Sequence, residues 1–243
     1  MPRFFKHLDA PAAVGDLLHV EGQDAAHIRL SLRMSVGDRV TLCDGKGYDY
    51  DTVIDAVSER EVTLRVCAIE CSQSEPSVQV TVYQGYPKGD KLELIIQKAV
   101  ELGAARIVPV VTSRSIAKPG DKADKKQARW QKIADEAAGQ CGRGILPEVS
   151  APLTFAQALA EIRGQKLLVL YEAGGQPLSS VVDRDAGDLA LFIGPEGGIS
   201  PDELQKLQEV GGTVISLGRR ILRCETAPLA ALAAVMTLTG NLE

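Results

Sequence analysis

The sequence has few of the residues that build disulfide, metal or membrane-spanning structures. Its 243 residues include five cysteines, an odd number without a Cys-X-X-Cys pair. Such a set predicts free thiols in a reducing compartment, with no disulfide framework and no metal. No apolar run approaches the roughly 20 residues of a membrane helix, and the first ten residues lack a signal-peptide core. We therefore expect a cytoplasmic protein that contacts no membrane.

A large excess of basic residues is also missing. The chain has 27 Lys and Arg against 32 Asp and Glu, a formal net charge of −5. Such a protein does not coat nucleic acid by bulk attraction, although a local basic patch can still bind RNA. No segment fits G-X-G-X-X-G or the phosphate-loop pattern, which argues against a dinucleotide or nucleoside triphosphate site.

The first third of the chain is rich in short strands. Alternating or β-branched residues predict them over 17–20, 39–43, 48–57 and 61–69. Residues 44–47, Asp-Gly-Lys-Gly, predict a hairpin turn between two of these strands. This pattern favours a small barrel or sandwich. The polar stretch 71–77 predicts a boundary that leaves a first domain over residues 1–72.

Strands alternate with helices in the rest of the chain. We predict strands over 78–84, 106–111, 166–171, 189–193 and 213–217, and helices over 90–102, 122–140, 201–210 and 226–239. Asp90 with Glu93, and Ser200 with Glu203, have the spacing of capping boxes, and Pro201 follows Ser200. The alternation predicts an α/β domain over residues 73–243 on a mostly parallel sheet.

Three glycine-bearing loops follow strands of this sheet. They are 172–175 (Glu-Ala-Gly-Gly), 194–198 (Gly-Pro-Glu-Gly-Gly) and 218–223 (Gly-Arg-Arg-Ile-Leu-Arg). Open parallel sheets bind ligands beyond the carboxyl ends of their strands, and glycine allows close backbone approach. The loops therefore predict a ligand site. A tight turn before the helix capped by Ser200 is an alternative explanation of the second loop.

Arginines crowd the third loop. Arg219, Arg220 and Arg223 together suit a phosphate or a carboxylate. The alternative is a solvated helix start in which Arg223 pairs with Glu225.

Two further segments are candidates for RNA contact. Residues 112–143 hold eight Lys or Arg and four acids, a local charge of 8 − 4 = +4, which fits an RNA footprint or an ordinary charged helix face. Near the N-terminus, Arg29 and Arg33 are four residues apart and would share a helix face. His27 precedes them, although a lone histidine equally fits a purely structural position. The candidate RNA contacts are His27, Arg29, Arg33, Arg114, Lys125, Lys126 and Arg129.

Several motifs together resemble a known family. The loop 194–198 and the segment 217–227 (Leu-Gly-Arg-Arg-Ile-Leu-Arg-Cys-Glu-Thr-Ala) are similar to the bacterial 16S ribosomal RNA (uracil-N3)-methyltransferases, the RsmE family of the SPOUT class. Residues 96–103, 140–143 and 27–38 also match its pattern. The resemblance covers essentially the whole chain. It departs at Arg219, where the family often has proline, and at Gly139, where glutamate is common.

The resemblance implies a PUA-like β-barrel that helps to hold RNA, followed by a SPOUT α/β domain with a trefoil knot. It also implies a homodimer that uses S-adenosylmethionine to methylate a uridine of 16S rRNA in the small ribosomal subunit. The cofactor contacts carried over by position are Leu170, Glu172, Gly194, Pro195, Glu196, Gly197, Gly198, Leu217, Gly218, Ile221, Leu222 and Thr226.

The resemblance also suggests catalytic residues. Uracil N3 is a poor nucleophile until it loses its proton, and Arg223 would stabilise the charge that then develops on the ring oxygens. Arg143, from the same chain or a partner subunit, would hold a phosphate or the base. Glu225 is a candidate general base. It could equally orient Arg223 or contact the ammonium group of the cofactor.

Three alternative functions remain open on the sequence. One is a methyltransferase of the same class with another RNA target, which mapping of the modified nucleotide would distinguish. Another is an RNA-binding assembly factor that kept the fold without catalysis, which a test of cofactor binding would distinguish. A generic α/β nucleotide-binding protein is disfavoured by the missing phosphate motif.

Overall fold

The computed structural model describes residues 1–120 and 123–243, which form two compact units. Residues 1–75 and 138–146 make up the first unit, and residues 76–137 and 147–243 make up the second. The helix start predicted at Lys122 lies outside the described residues. Among those described, no helix is both long enough and apolar enough to cross a membrane.

The first unit contains a five-stranded sheet. Its strands are β1 (Arg3–Phe5), β2 (Leu17–Glu21), β3 (Arg39–Cys43), β4 (Tyr48–Val57) and β5 (Glu61–Cys71), in the order β1-β3-β4-β5-β2. β1 pairs with β3 in parallel, and the other pairs are antiparallel. Alternate residues such as Val62, Leu64 and Val66 are buried, because successive side chains of a strand point to opposite faces. The Asp44 carboxylate accepts the N–H groups of Lys46 and Tyr48, which confirms the predicted hairpin turn.

A short helical segment connects β2 to β3. Helix α1 (Gly22–Ala26) continues into one π-helical turn, His27–Ser31. Arg33 lies beyond this turn with φ = +54°, a conformation that a non-glycine residue rarely adopts and that no helix continues. The prediction that Arg29 and Arg33 share a helix face is therefore wrong. His27 is exposed, and its ring packs edge to face against Phe4 with centroids 5.6 Å apart.

An eight-stranded parallel sheet forms the centre of the second unit. Its strands are β6 (Val80–Gly85), β7 (Arg106–Val111), β8 (Glu148–Val149), β9 (Leu153–Thr154), β10 (Lys166–Leu170), β11 (Gln176–Pro177), β12 (Leu189–Ile193) and β13 (Thr213–Ser216). Their order is β11-β13-β10-β12-β6-β7-β8, with β9 also paired to β7. Every pair is parallel. The predicted α/β fold on a mostly parallel sheet is confirmed.

Five longer helices complete the described chain. They are α2 (Lys91–Glu101), α3 (Ala123–Cys141), α4 (Phe155–Ile162), α5 (Pro201–Glu209) and α6 (Ala227–Leu238), and a 3-10 turn covers Leu178–Ser180. In the second unit, buried side chains of the sheet such as Tyr83 and Phe192 pack with Ala158 and Ile162 of α4 and Leu207 of α5.

Capping residues explain where two of these helices begin. The capping box of Ser200 and Glu203 is present, with Pro201 in the first turn, as predicted. The box predicted at Asp90 is wrong, because the Asp90 side chain makes no capping hydrogen bond. Glu93 pairs instead with Arg129, at 2.7 Å. Helix α4 was not predicted, although Thr154 and Gln157 form a capping box at its start.

Candidate functional site

The three glycine-bearing loops converge on one pocket, as predicted. They follow β10, β12 and β13, which are neighbours in the parallel sheet, so their carboxyl ends meet at one edge. The cavity has a volume of about 430 Å³, within the range of small-molecule sites. Its lining comprises Leu170, Tyr171, Glu172, Ile193, Gly194, Pro195, Glu196, Gly197, Gly198, Ile215, Ser216, Leu217, Gly218, Arg220, Ile221, Leu222, Arg223, Cys224 and Ala227.

Tight packing explains the glycines of the second loop. A Cβ atom at Gly194 would lie 2.8 Å from the carbonyl carbon of Gly198. A Cβ atom at Gly198, where φ is +70°, would lie 2.7 Å from the Glu172 carboxylate. Gly85, at the end of β6, packs against the same loop, since a Cβ atom added at this position would lie 2.4 Å from Pro195. The loop therefore offers peptide groups to the pocket where side chains would not fit.

Arg114 supports the second loop from outside the pocket. Its Nη1 donates a hydrogen bond to the carbonyl of Gly197 at 2.9 Å. A Cβ atom at Gly197 would lie 3.1 Å from the Cβ of Arg114. Arg114 was predicted as an RNA contact, and that contact stays a prediction. In the structure its side chain lies beside the loop 194–198.

The arginines of the third loop are exposed and have no acidic partner among the described residues. Arg220 and Arg223 line the pocket, whereas Arg219 does not. None of the three side chains forms an ion pair with another residue of the described ranges 1–120 and 123–243. The alternative in which Arg223 pairs with Glu225 is therefore not the arrangement found. Unpaired guanidinium groups at a pocket suit an anionic ligand.

Glu225 contacts a lysine that was not predicted as a site residue. Lys91, at the start of α2, places its Nζ 3.2 Å from Oε2 of Glu225 and 3.1 Å from Oε1 of Glu196. The thiol of Cys224 donates to Glu225 at 3.2 Å and, together with Lys91, lowers the pKa of that carboxyl. Lys91 and Cys224 both contact Oε2 of Glu225, and the role of this carboxylate as a general base stays a prediction.

Glu196 and Cys224, two further groups beside Lys91, have pKa values shifted in opposite directions. Burial raises the pKa of the Glu196 carboxyl, but hydrogen bonds from the backbone N–H groups of Glu196 and Lys88 and from Lys91 outweigh it, and the pKa is lowered. Burial, chiefly, raises the pKa of the Cys224 thiol to about 12. Near neutral pH the cluster therefore holds one ammonium, two carboxylates and a neutral thiol.

The structure brings together all but one of the predicted cofactor residues. Thr226 is the exception; it precedes α6 as its N-cap and is not part of the pocket lining. Glu172 lines the cavity without an ion-pair partner among the described residues. Tyr171, Ile193, Ile215, Ser216, Arg220, Cys224 and Ala227 are lining residues that were not predicted as cofactor contacts.

Arg143 is not among the pocket residues. It belongs to the first unit, is 5% exposed, and donates from Nε and Nη2 to the Glu75 carboxylate, at 2.7 Å for the shorter contact. Glu75 also accepts the N–H groups of Gly144 and Ile145. Burial raises the pKa of Glu75, but these hydrogen bonds outweigh it and lower the pKa. In this chain the Arg143 guanidinium holds the segment 138–146 within the first unit.

The candidate RNA contacts on α3 differ in their surroundings. Lys125 and Lys126 are exposed. Arg129 is also exposed but is paired with Glu93. Lys125 and Lys126 are therefore better placed than Arg129 to meet a phosphate, and their contact with RNA stays a prediction.

Comparison with known proteins gives concordant matches. An RNA methyltransferase domain matches residues 73–236, and an RNA methyltransferase PUA domain matches residues 20–67. A ribosomal RNA small subunit methyltransferase E of Bacillus subtilis is 38% identical, covering 89% of this chain and 88% of the relative. One from Mycobacterium bovis is 32% identical, covering 97% and 92%. The crystal structure of a ribosomal RNA small subunit methyltransferase E from Neisseria gonorrhoeae bound to S-adenosyl methionine has a TM-score of 0.87 and 32% identity, covering 98% of each chain.

Proposed function

Because the chain belongs to the ribosomal RNA small subunit methyltransferase E family, we propose that it transfers a methyl group from S-adenosylmethionine to N3 of a specific uridine in 16S rRNA. One observation carries the proposal: three glycine-bearing loops line a cavity together with Arg220 and Arg223, which form no ion pair within the part of the chain that the structure describes. A second domain with the PUA match supports an RNA substrate.

The residues of the pocket fit this cofactor. Peptide N–H and C=O groups of the loop 194–198 suit the edge of an adenine ring, and the volume of about 430 Å³ suits a ligand of this size. Glu172, which has no ion-pair partner among the described residues, suits a cationic or hydroxyl group. The cofactor supplies a methyl group already activated on a sulfonium. The main task of the protein is then to align uracil N3 with that methyl group.

Arg223 is the proposed catalytic residue. When uracil N3 loses its proton, negative charge spreads onto the flanking ring oxygens, and a guanidinium fixed beside them lowers the barrier. Arg223 lines the pocket and has no acidic partner in the described chain. Glu225, held by Lys91 and Cys224, would set the electrostatic surroundings of Arg223.

The proposal extends to partners that the pocket alone does not define. His27, Arg29 and Arg33 of the first unit, with Lys125 and Lys126 of α3, would hold RNA in the small ribosomal subunit. The family resemblance further supports a homodimer in the cytoplasm and a trefoil knot in the second unit. In the sheet, the last strand in sequence, β13, lies between β11 and β10.

Two alanine variants of the third loop test the proposal. Arg223→Ala is expected to bind S-adenosylmethionine normally in calorimetry and to lose about 10²–10³-fold in methyl transfer. Arg219→Ala removes an arginine that is also exposed but does not line the pocket, so its turnover should stay near that of the wild type. Full turnover by Arg223→Ala would show that its assigned role is wrong.

A further inference from the structure

Lys91 reaches two separate segments of the pocket. Its Nζ lies 3.1 Å from Glu196 in the second loop and 3.2 Å from Glu225 beside the third loop. The lysine side chain is 32% exposed and the two acidic side chains are 23% and 25% exposed, so water screens these contacts only in part. Neither acid has another ion-pair partner among the described residues.

We propose that Lys91 is a positioning residue for the cofactor site, which ties the loop 194–198 to the segment 224–225 and fixes the shape of the pocket. The inference rests on the proposed function for the identity of the ligand. Lys91 itself does not line the cavity, but Glu196 and Cys224 do. Lys91 would therefore act on the bound cofactor indirectly, through Glu196 and Cys224.

The surrounding contacts show how the ammonium acts on both segments. The backbone N–H of Lys88, just before α2, donates to the same Glu196 oxygen at 3.1 Å, so the start of the helix holds this acid from two points. On the other side, Glu225 receives the Cys224 thiol and Lys91. Glu225 pairs with Lys91 and not with the neighbouring Arg223, which forms no ion pair within the described residues.

Removing this ammonium would leave two carboxylates on adjoining segments without a cation. Like charges that share a site cannot both ionise easily, so one carboxyl would take up a proton at a higher pH than in the wild type. The groups facing Lys91 are Glu196, Glu225 and Cys224. The thiol has a pKa of about 12 and stays neutral. Any pH dependence gained by the variant would therefore come from the two carboxyls.

Calorimetric titration of S-adenosylmethionine into the wild type and four variants tests the proposal. Lys91→Met should bind roughly tenfold more weakly than the wild type near pH 8, whereas Lys91→Arg should stay within about twofold because the cation is retained. Lys98→Met is the matched control, since Lys98 lies on the same helix and pairs only with Glu101 in the described chain. Its affinity should not change.

The pH dependence separates a charge effect from a packing effect. Near pH 5 the affinity of Lys91→Met should approach that of the wild type, because protonation of one carboxyl removes the repulsion. An affinity for Lys91→Met equal to that of Lys98→Met, or a loss that is the same at both pH values, would overturn the positioning role. Lys91→Gln provides a second neutral variant with the same expected loss, and thermal unfolding verifies that each variant is folded. Wild-type protein that fails to bind S-adenosylmethionine would instead contradict the proposed function.

Discussion

At the scale of single residues, a buried ion pair organises part of the first unit. The Arg143 and Glu75 side chains are 6% and 13% exposed, and the Glu75 carboxylate also accepts two backbone N–H groups of the segment it holds. Removing one partner of such a pair leaves the other charge buried without compensation, which costs about 3–5 kcal/mol. The pair therefore matters more for stability than the exposed ion pairs of the same unit.

Glu75→Gln is expected to destabilise the protein by about 3 kcal/mol or more near pH 7. The pKa of Glu75 is lowered in the folded state, so its contribution is complete above the unfolded pKa of about 4.3 and is lost as the pH falls through the folded pKa. The difference from the wild type in urea unfolding should thus shrink below about pH 4. Asp55→Asn, which breaks the exposed pair with Arg65, should cost less than about 1 kcal/mol. Equal losses in both variants would contradict the account.

Local sequence patterns predicted the pocket glycines but not all of their partners. A strand followed by glycines marks the loop 194–198, because strand and loop are adjacent in sequence. Lys91 meets Glu196 and Glu225 only through the folded sheet, so nothing near residue 91 indicates the contact. The partner of Arg143 in this chain, Glu75, likewise lies far away in sequence and was not predicted. The ligand contact that the family pattern suggests for Arg143 stays a prediction.

At the scale of elements, the two predicted capping boxes offer a direct comparison. Ser200 accepts the Glu203 N–H at the start of α5, whereas the Asp90 side chain makes no capping bond at α2. Ser200→Ala should therefore cost about 1 kcal/mol in thermal or urea unfolding. Asp90→Ala should change stability by less than about 0.5 kcal/mol. A larger loss in Asp90→Ala than in Ser200→Ala would contradict the capping geometry.

Elements with continuous apolar runs were predicted well. β7 and β12 have the predicted bounds, because strands buried on both faces are largely apolar, as β12 is throughout and β7 is after Arg106. The two-residue strands β8, β9 and β11 have too few residues for any periodicity to show. The turn at Arg33 depends on a positive φ, which the sequence does not indicate because the residue is not glycine.

At the scale of the whole molecule, an acidic protein must bind RNA through local charge. Replacing Lys125 and Lys126 with glutamate should weaken RNA binding. The slope of the logarithm of the binding constant against the logarithm of the salt concentration should also fall, by roughly one for each phosphate that the protein no longer neutralises. Lys166→Glu with Lys206→Glu changes two exposed lysines of the second unit and the net charge equally. Filter binding across a salt series should show little change for this control pair. If RNA binding changed equally in both double variants, α3 would be an ordinary charged helix without an RNA contact.

The fold class could be predicted because alternating strands and helices leave few possible topologies. Neither a trefoil knot nor a homodimer can be predicted from periodicity. A knot depends on how segments far apart in the sequence pass one another, and a homodimer depends on contacts with another chain. For those features the resemblance supplies an expectation that local physical chemistry does not.

We propose that this pocket directs a methyl group to one nitrogen of one uracil. The most direct measurement incubates the protein with labelled S-adenosylmethionine and small ribosomal subunits, then digests the 16S rRNA and identifies the labelled nucleoside. We expect a single labelled product, N3-methyluridine, that is strongly reduced with Arg223→Ala. Label in another nucleoside, or none despite cofactor binding, would contradict the account.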